Sequence, residues 1–399
     1  MNIVKAGNHR FASLDAMRAI AALLVVWQHF AETLIKIPGV SSHGVFLVDF
    51  AQSVDFGRIG VIIFFLVSGY IIPSSLNNSS NNPIKLFAIK RFFRLYPAYW
   101  ASIVLAIIIG NIFLDHSYSL QQILANATML QTFFGEEHIQ GLYWTLQIEL
   151  IFYTLCCVLH YLGVLRNTRF IFLTCFLLLV VFAALQTSAK HHLVDIPKEL
   201  IYAPFLISIM FFGSIYRTYH DALAKGSTTK AHLYILLLTA IMCFSVPVIN
   251  IAAYALQGTR LSENPLRFGL SHLIGLFIFS VGMIALRTPP RILARIGVVS
   301  YSVYLLHPLV MYTVKHMVEA NSFLLANPTH VSVYMLASLL ICLGISSLMY
   351  KFIESPAINI GHKFTRSPGH IAASSANLAP VGRGVDGASS REAKSSDTN

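Results

Sequence analysis

Apolar residues recur along this chain in blocks long enough to cross a bilayer. A transmembrane helix needs about 20 consecutive, mostly apolar residues. Ten stretches fit, at roughly 14–34, 58–76, 96–114, 142–163, 169–187, 199–216, 231–249, 267–286, 300–318 and 331–353. The stretch 118–134 is shorter and polar on one side, which predicts an interfacial or re-entrant helix on an outer loop. From 364 to 399 the pattern gives way to Ser, Ala, Gly and Asp with no apolar period, which predicts a disordered cytoplasmic tail behind a transmembrane domain spanning 1–363. The expected fold is an all-α polytopic membrane protein, a bundle of about ten transmembrane helices. No internal repeat is detectable.

Composition agrees with that class. Hydrophobic residues make up 56% of the chain and charged residues only 11%, against about 25% charged in soluble domains. The first apolar run is long, carries charges and has no small-residue cleavage site, so it is expected to stay in the membrane. Placing the N-terminus in the cytoplasm puts 21 of the 28 Lys and Arg residues on inner segments and 7 on outer ones. This bias predicts both termini inside. It also accounts for the net charge of +11 without nucleic acid as a partner; those charges face anionic headgroups. The five cysteines (Cys156, Cys157, Cys175, Cys243, Cys342) lie in apolar segments without metal-ligand spacing, and read as packing residues rather than disulfides or metal ligands.

Against this apolar background, ionisable groups inside the spans stand out. Each costs about 2.5–3.5 kcal/mol at a bilayer centre on insertion scales. Arg18 and His29 lie eleven residues apart in the first span, which on a helix is about 1100° and about 16 Å along one face. Asp15 and Glu32 fall near the same face. This stripe is either a functional site or a buried ion-pair ladder. By topology, His29 and Glu149 both fall in the outer half of the membrane, which pairs a base with an orienting carboxylate. Glu32 is a rival for that role, and Glu149 has the alternative of a structural carboxylate bonded to backbone or tyrosine.

Further motifs have two readings each. Lys90-Arg91-Phe-Phe-Arg94-Leu-Tyr-Pro97 puts cations before a proline at an expected helix start, where Arg91 and Arg94 would clamp phosphates; otherwise it is an orientation signal. Ser68-Gly69 permits close helix approach or passage of a thin ligand chain. Tyr301 and His307, followed by Pro308, line a ligand path or belong to the core. Pro356 is expected to close the last helix, with Glu354 pairing an inner-loop arginine.

In this order the motifs resemble the acyltransferase family 3 membrane proteins. The matching pieces are Leu14-Asp15-x-x-Arg18-x10-His29, Gly60-Val-x-x-Phe-Phe-x-x-Ser68-Gly69, Arg91-x-x-Arg94-x-x-Pro97, Trp144-x-x-x-x-Glu149-x-x-Phe-Tyr153, Ser300-Tyr-Ser-x-Tyr304-x-x-His307 and Phe352-Ile-Glu354-x-Pro356. Gln147-Ile148 stands where many relatives carry Ser-Val. The resemblance implies transfer of an acyl group, most often acetyl, from cytoplasmic acetyl-CoA or another acyl-CoA to a hydroxyl of a cell-envelope or exported saccharide or glycolipid. It implies Arg18, His29 and Glu149 as catalytic residues and Arg91, Arg94, Ser68 and Gly69 on the donor. Asp15, Tyr301, His307 and Glu354 would line the path or support it. No tightly bound cofactor or metal is expected, and the expected setting is the bacterial cytoplasmic (inner) membrane. Many members carry a C-terminal extracytoplasmic esterase-like domain; a cytoplasmic tail predicts none here. The alternative function is a transporter using the polar stripe as a relay, but the matching halves common in transporters are not seen.

Overall fold

The computed structural model describes residues 2–37, 46, 49, 50, 53–76, 82–113, 116–257, 264–286, 288–326 and 329–365, with no strand among them. In chain order the helices are α1 (Asn2–Leu34), α2 (Phe56–Ser75), α3 (Pro83–Phe113), α4 (Leu120–Ala127), α5 (Tyr143–Tyr161), α6 (Thr168–Lys190), α7 (Lys198–Ala224), α8 (Lys230–Gln257), α9 (Pro265–Ala285), α10 (Arg291–Glu319), α11 (Ser322–Ala326), α12 (Val331–Met349) and α13 (Ser355–Thr365). Among the described residues, nine helical segments are long and apolar enough to cross a membrane. The chain is an all-α polytopic membrane protein. Beyond Thr365 the tail predicted as disordered lies outside the described residues.

The fourth predicted span, 142–163, corresponds to α5, which is not among those nine. After α3 ends at Phe113, the His116 amide bonds back to the Gly110 carbonyl at 3.1 Å. The chain then descends along α3. Trp100 Nε1 donates to the Ala127 carbonyl at 2.9 Å, Tyr99 to Asn126 at 2.7 Å and Tyr96 to Thr128 at 3.0 Å. From Gly110 back to Tyr96 is about 21 Å of helix at 1.5 Å per residue. The segment 118–134 therefore folds back along α3, as a re-entrant segment would. Leu120 and Leu124 of α4 stay exposed, on the side left to lipid. The buried Asn126 fixes the turn: its Nδ2 donates to the carbonyls of Gln122 and Glu137, both at 2.9 Å, and its Oδ1 accepts from the Ile139 amide at 3.1 Å.

As a result α5 begins part-way down α3. The Tyr143 hydroxyl meets Ser102 Oγ at 2.8 Å, and ten residues on the Tyr153 ring lies 5.7 Å from Phe87. The helix thus runs antiparallel to α3, toward the end where α3 carries Lys85, Lys90, Arg91 and Arg94, here called the basic end. Helices α1, α3 and α10 all start at that end.

Two expected helix boundaries are not boundaries. Pro97 lies inside α3, which begins at Pro83, so Arg91 and Arg94 stand on a helix and not at a helix mouth. Pro83 occupies the first helical turn, where a missing N–H is harmless. Pro356 does not end the last helix either: a π-turn at Tyr350–Glu354 absorbs the irregularity and α13 continues to Thr365. Membrane helices tolerate proline because local π adjustments and neighbours satisfy the freed carbonyls.

Small residues let backbones touch. A Cβ on Gly69 would sit 1.7 Å from the Met210 carbonyl oxygen of α7, and one on Gly297 1.9 Å from the Asp15 carbonyl oxygen of α1. These approaches set α2 on α7 and α10 on α1, as small-residue packing does in membranes. The cysteines are unpaired in disulfides; Cys175 and Cys243 both point at the Ser208 carbonyl, at 3.8 and 3.7 Å, which joins α6, α7 and α8 as packing residues would.

Candidate active site

Helices α1, α2, α3, α5 and α10 enclose a cavity toward the basic end. About 710 Å³ of space there is free of atoms, its open mouth included. Arg18, Arg91, Arg94, Ser68, Glu149 and Tyr301 all line it. The sequence motifs therefore converge: one residue from α1, one from α2, two from α3, one from α5 and one from α10. Each reaches the cavity because its helix turns an otherwise apolar face inward at that level.

Glu149 is held from two sides. Ser68 Oγ donates to its Oε1 at 2.7 Å and the Tyr153 hydroxyl at 2.6 Å. Tyr153 stands at i+4 from Glu149, the next residue on the same helix face. The Arg91 guanidinium lies 5.4 Å from the Phe87 ring and 5.6 Å from the Tyr153 ring, within cation–π range. Its buried Nε has no hydrogen-bond partner. Arg18 approaches Asp15 at 3.6 Å. Three guanidiniums thus face one cavity carboxylate, and the excess positive charge suits an anion.

His29 is elsewhere. Its ring is exposed and stacks on that of His307, with centroids 5.3 Å apart and planes 24° from parallel. Tyr304 connects the two places. It lines the cavity, its hydroxyl lies 2.7 Å from Thr145 Oγ1, and its ring is 5.7 Å from the His307 ring. Phe64 also lines the cavity and meets the Tyr304 ring edge to face at 5.7 Å.

The expected His29–Glu149 pair is therefore corrected. Glu149 sits with Arg18, which is about 16 Å along α1 from His29. The depth argument assumed that α5 starts at the outer surface, whereas the re-entrant segment delivers it part-way down. The rival, Glu32, is also engaged: Gln28 Nε2 donates to its Oε1 at 2.6 Å and Arg267 Nη2 at 2.7 Å. His29 makes no hydrogen bond with the described residues.

Other expected residues divide. Tyr301 lines the cavity and donates to the Leu95 carbonyl at 3.0 Å. Asp15 accompanies Arg18 beneath Gly297. Gly69 faces α7 and not the cavity, so of the Ser68-Gly69 pair only the serine lines the cavity. Glu354 is fully buried and accepts from Ser302 Oγ at 2.7 Å; it makes no ion pair with an inner arginine. The π-turn that carries it directs it at α10. The sequence reading missed Phe64, Thr145 and Tyr304 as parts of the site. Tyr304 could have been found from its spacing, i−3 from His307.

A family model described as an acyltransferase domain matches residues 11–347. The chain is also 22% identical, over 258 residues, to a protein of Acidianus two-tailed virus named "Putative acetyltransferase ORF330"; the match covers 63% of this chain and 72% of that protein. No solved structure matches the chain.

Proposed function

The chain belongs to the acyltransferase domain family, and from that premise we propose that it carries an acyl group from a CoA thioester at its basic end to a saccharide hydroxyl at the opposite face. The enzyme is an O-acyltransferase. One observation carries the fuller reading: α1 places Arg18 in an arginine-lined cavity and, further along the same helix, an exposed His29 stacked on the buried His307 ring.

The excess of lysine and arginine assigns the basic end to the cytoplasm. Acyl-CoA is anionic and cytoplasmic, and Arg91 and Arg94 are suited to its phosphates. The pantetheine arm, about 15–20 Å long, suits the roughly 16 Å between Arg18 and His29. The thioester would pass Phe64 and Tyr304 and arrive near His29. There the imidazole takes the proton of the acceptor hydroxyl while its oxygen attacks the acyl carbon. The C–S bond breaks, the proton passes to the departing sulfur, and an ester and free CoA thiol result. An imidazole is suited to both proton transfers near pH 7. In this reading the chain is a multi-pass protein of a bacterial inner membrane with both termini in the cytoplasm, and acetyl is the acyl group.

Reconstitution into vesicles tests it. Acetyl-CoA supplied on one side should label an enclosed saccharide acceptor, and His29→Ala should abolish labelling at unchanged protein level. Full labelling by a well-folded His29→Ala protein would end the assignment.

A further inference from the structure

His307 Nε2 is buried and has no hydrogen-bond partner, in a side chain only 1% exposed. The other ring nitrogen, Nδ1, lies 2.7 Å from the Tyr304 carbonyl oxygen. A carbonyl only accepts, so Nδ1 carries the proton, and in the neutral ring Nε2 presents a lone pair. The sequence explains why this tautomer is fixed. In a helix, the amide of residue 308 would donate to the carbonyl of Tyr304. Residue 308 is proline and has no N–H. The freed carbonyl goes to His307.

His29 stacks on this ring at 5.3 Å, with planes 24° from parallel. The Nε2 lone pair lies in its ring plane, so it runs alongside His29 and is not aimed at it. Thus two neighbouring imidazoles stand together. Among the described residues His29 has no hydrogen-bond partner, and His307 has one acceptor nitrogen unfilled, although buried polar atoms are nearly always paired. The missing donor is expected on the molecule that binds there.

Resting on the acyl-transfer reading above, we propose that His307 Nε2 accepts a hydrogen bond from a second hydroxyl, adjacent to the one His29 serves, so that the acceptor is bound as a vicinal diol. A second hydroxyl is required because the reacting one has a single proton, which goes to His29. Two hydrogen bonds of about 2.8 Å from neighbouring oxygens can bridge rings 5.3 Å apart. His307 itself transfers no proton; it positions the acceptor and selects it.

The test uses the full-length protein in nanodiscs, acetyl-CoA as donor, and two alcohol probes: trans-1,2-cyclohexanediol and cyclohexanol. The wild type should use the diol with kcat/KM about tenfold higher, a gap worth about 1.4 kcal/mol. His307→Asn keeps an amide N–H for the Tyr304 carbonyl but removes the acceptor at Nε2. It should bring the diol down to the level of cyclohexanol, with the ratio of the two kcat/KM values as the readout. His307→Gln, whose amide oxygen reaches toward the Nε2 position, should restore part of the preference. Equal use of both alcohols by the wild type overturns the proposal. So does an equal loss on both in His307→Asn, which would make His307 a support for the His29 ring alone. If both variants lose CoA binding and are therefore misfolded, the wild-type comparison decides. No turnover of either alcohol by wild-type protein that binds CoA overturns the acyl-transfer reading, and this proposal with it.

Discussion

The rings of Phe64 and Tyr304 meet edge to face at 5.7 Å on the wall of the arginine cavity, and the Tyr304 ring also lies 5.7 Å from that of His307. The pair thus stands between the arginine cavity and the His307 ring on which His29 stacks. The Phe64 ring offers no charge and no nucleophile, so its own effect on a reaction is steric. Phe64→Trp should narrow the route. Transfer should therefore slow. CoA binding, which depends on the arginines, should hold. A calorimetric titration with CoA beside a transfer assay checks this, and a matched loss in both would place Phe64 within the donor site instead.

Arg91 and Arg94 are one helical turn apart on α3, and both line the cavity. Charge-assisted hydrogen bonds contribute about 1.5–3 kcal/mol each. Alanine at either position should raise the KM for acyl-CoA by about tenfold to a hundredfold, with little change in acceptor KM. Initial rates with donor and acceptor varied separately measure this. A rise confined to the acceptor would remove the two arginines from donor handling.

Glu149 is bonded to Ser68 and Tyr153, and it is the carboxylate that offsets three cavity guanidiniums. Glu149→Gln keeps an acceptor for both hydroxyls and removes the charge. It should alter donor KM and leave the acid limb of the pH–rate profile in place, because that limb belongs to His29 and Glu149 does not touch it. A shift of the acid limb in Glu149→Gln would show that the carboxylate approaches His29 when substrate is bound.

Some of this site is legible in the sequence because it depends on a single helix. Arg18 and His29 share α1, so the helical period fixes their spacing. Arg91, Arg94 and Tyr153 likewise follow from i+3 and i+4 neighbours. Glu149 was misplaced because its depth depends on where α5 begins. That start is set by bonds between segments: Tyr99 to Asn126, Trp100 to Ala127, and Tyr143 to Ser102. Apolar periodicity carries no record of them. Pro97 and Pro356 misled for a related reason. Proline marks a helix end where water competes for the backbone, whereas a membrane helix continues and satisfies the freed carbonyl locally. Gly69 stood between helix packing and a ligand path, since sequence cannot say which side of α2 meets α7.

Gly69 gives the sharpest separation of packing from chemistry. Its missing side chain is where the Met210 carbonyl of α7 lies: a Cβ would stand 1.7 Å from that oxygen, with the Met210 carbonyl carbon at 2.5 Å. These are backbone atoms, which cannot rotate aside, so α2 and α7 must part. Gly69→Ala should destabilise the protein by about 1–3 kcal/mol, as overpacking does, and lower its unfolding temperature in detergent. The folded fraction should keep the wild-type donor KM. The neighbouring Ser68→Ala should do the reverse. It removes one of the two hydroxyls that Glu149 accepts from without adding bulk, so the unfolding temperature should stay close to wild type while donor KM changes. Thermal unfolding followed by tryptophan fluorescence, together with donor kinetics for both variants, checks the pair. If Gly69→Ala instead unfolds normally and raises donor KM, α2 turns its glycine to the cavity and the α2–α7 contact is not the reason for it.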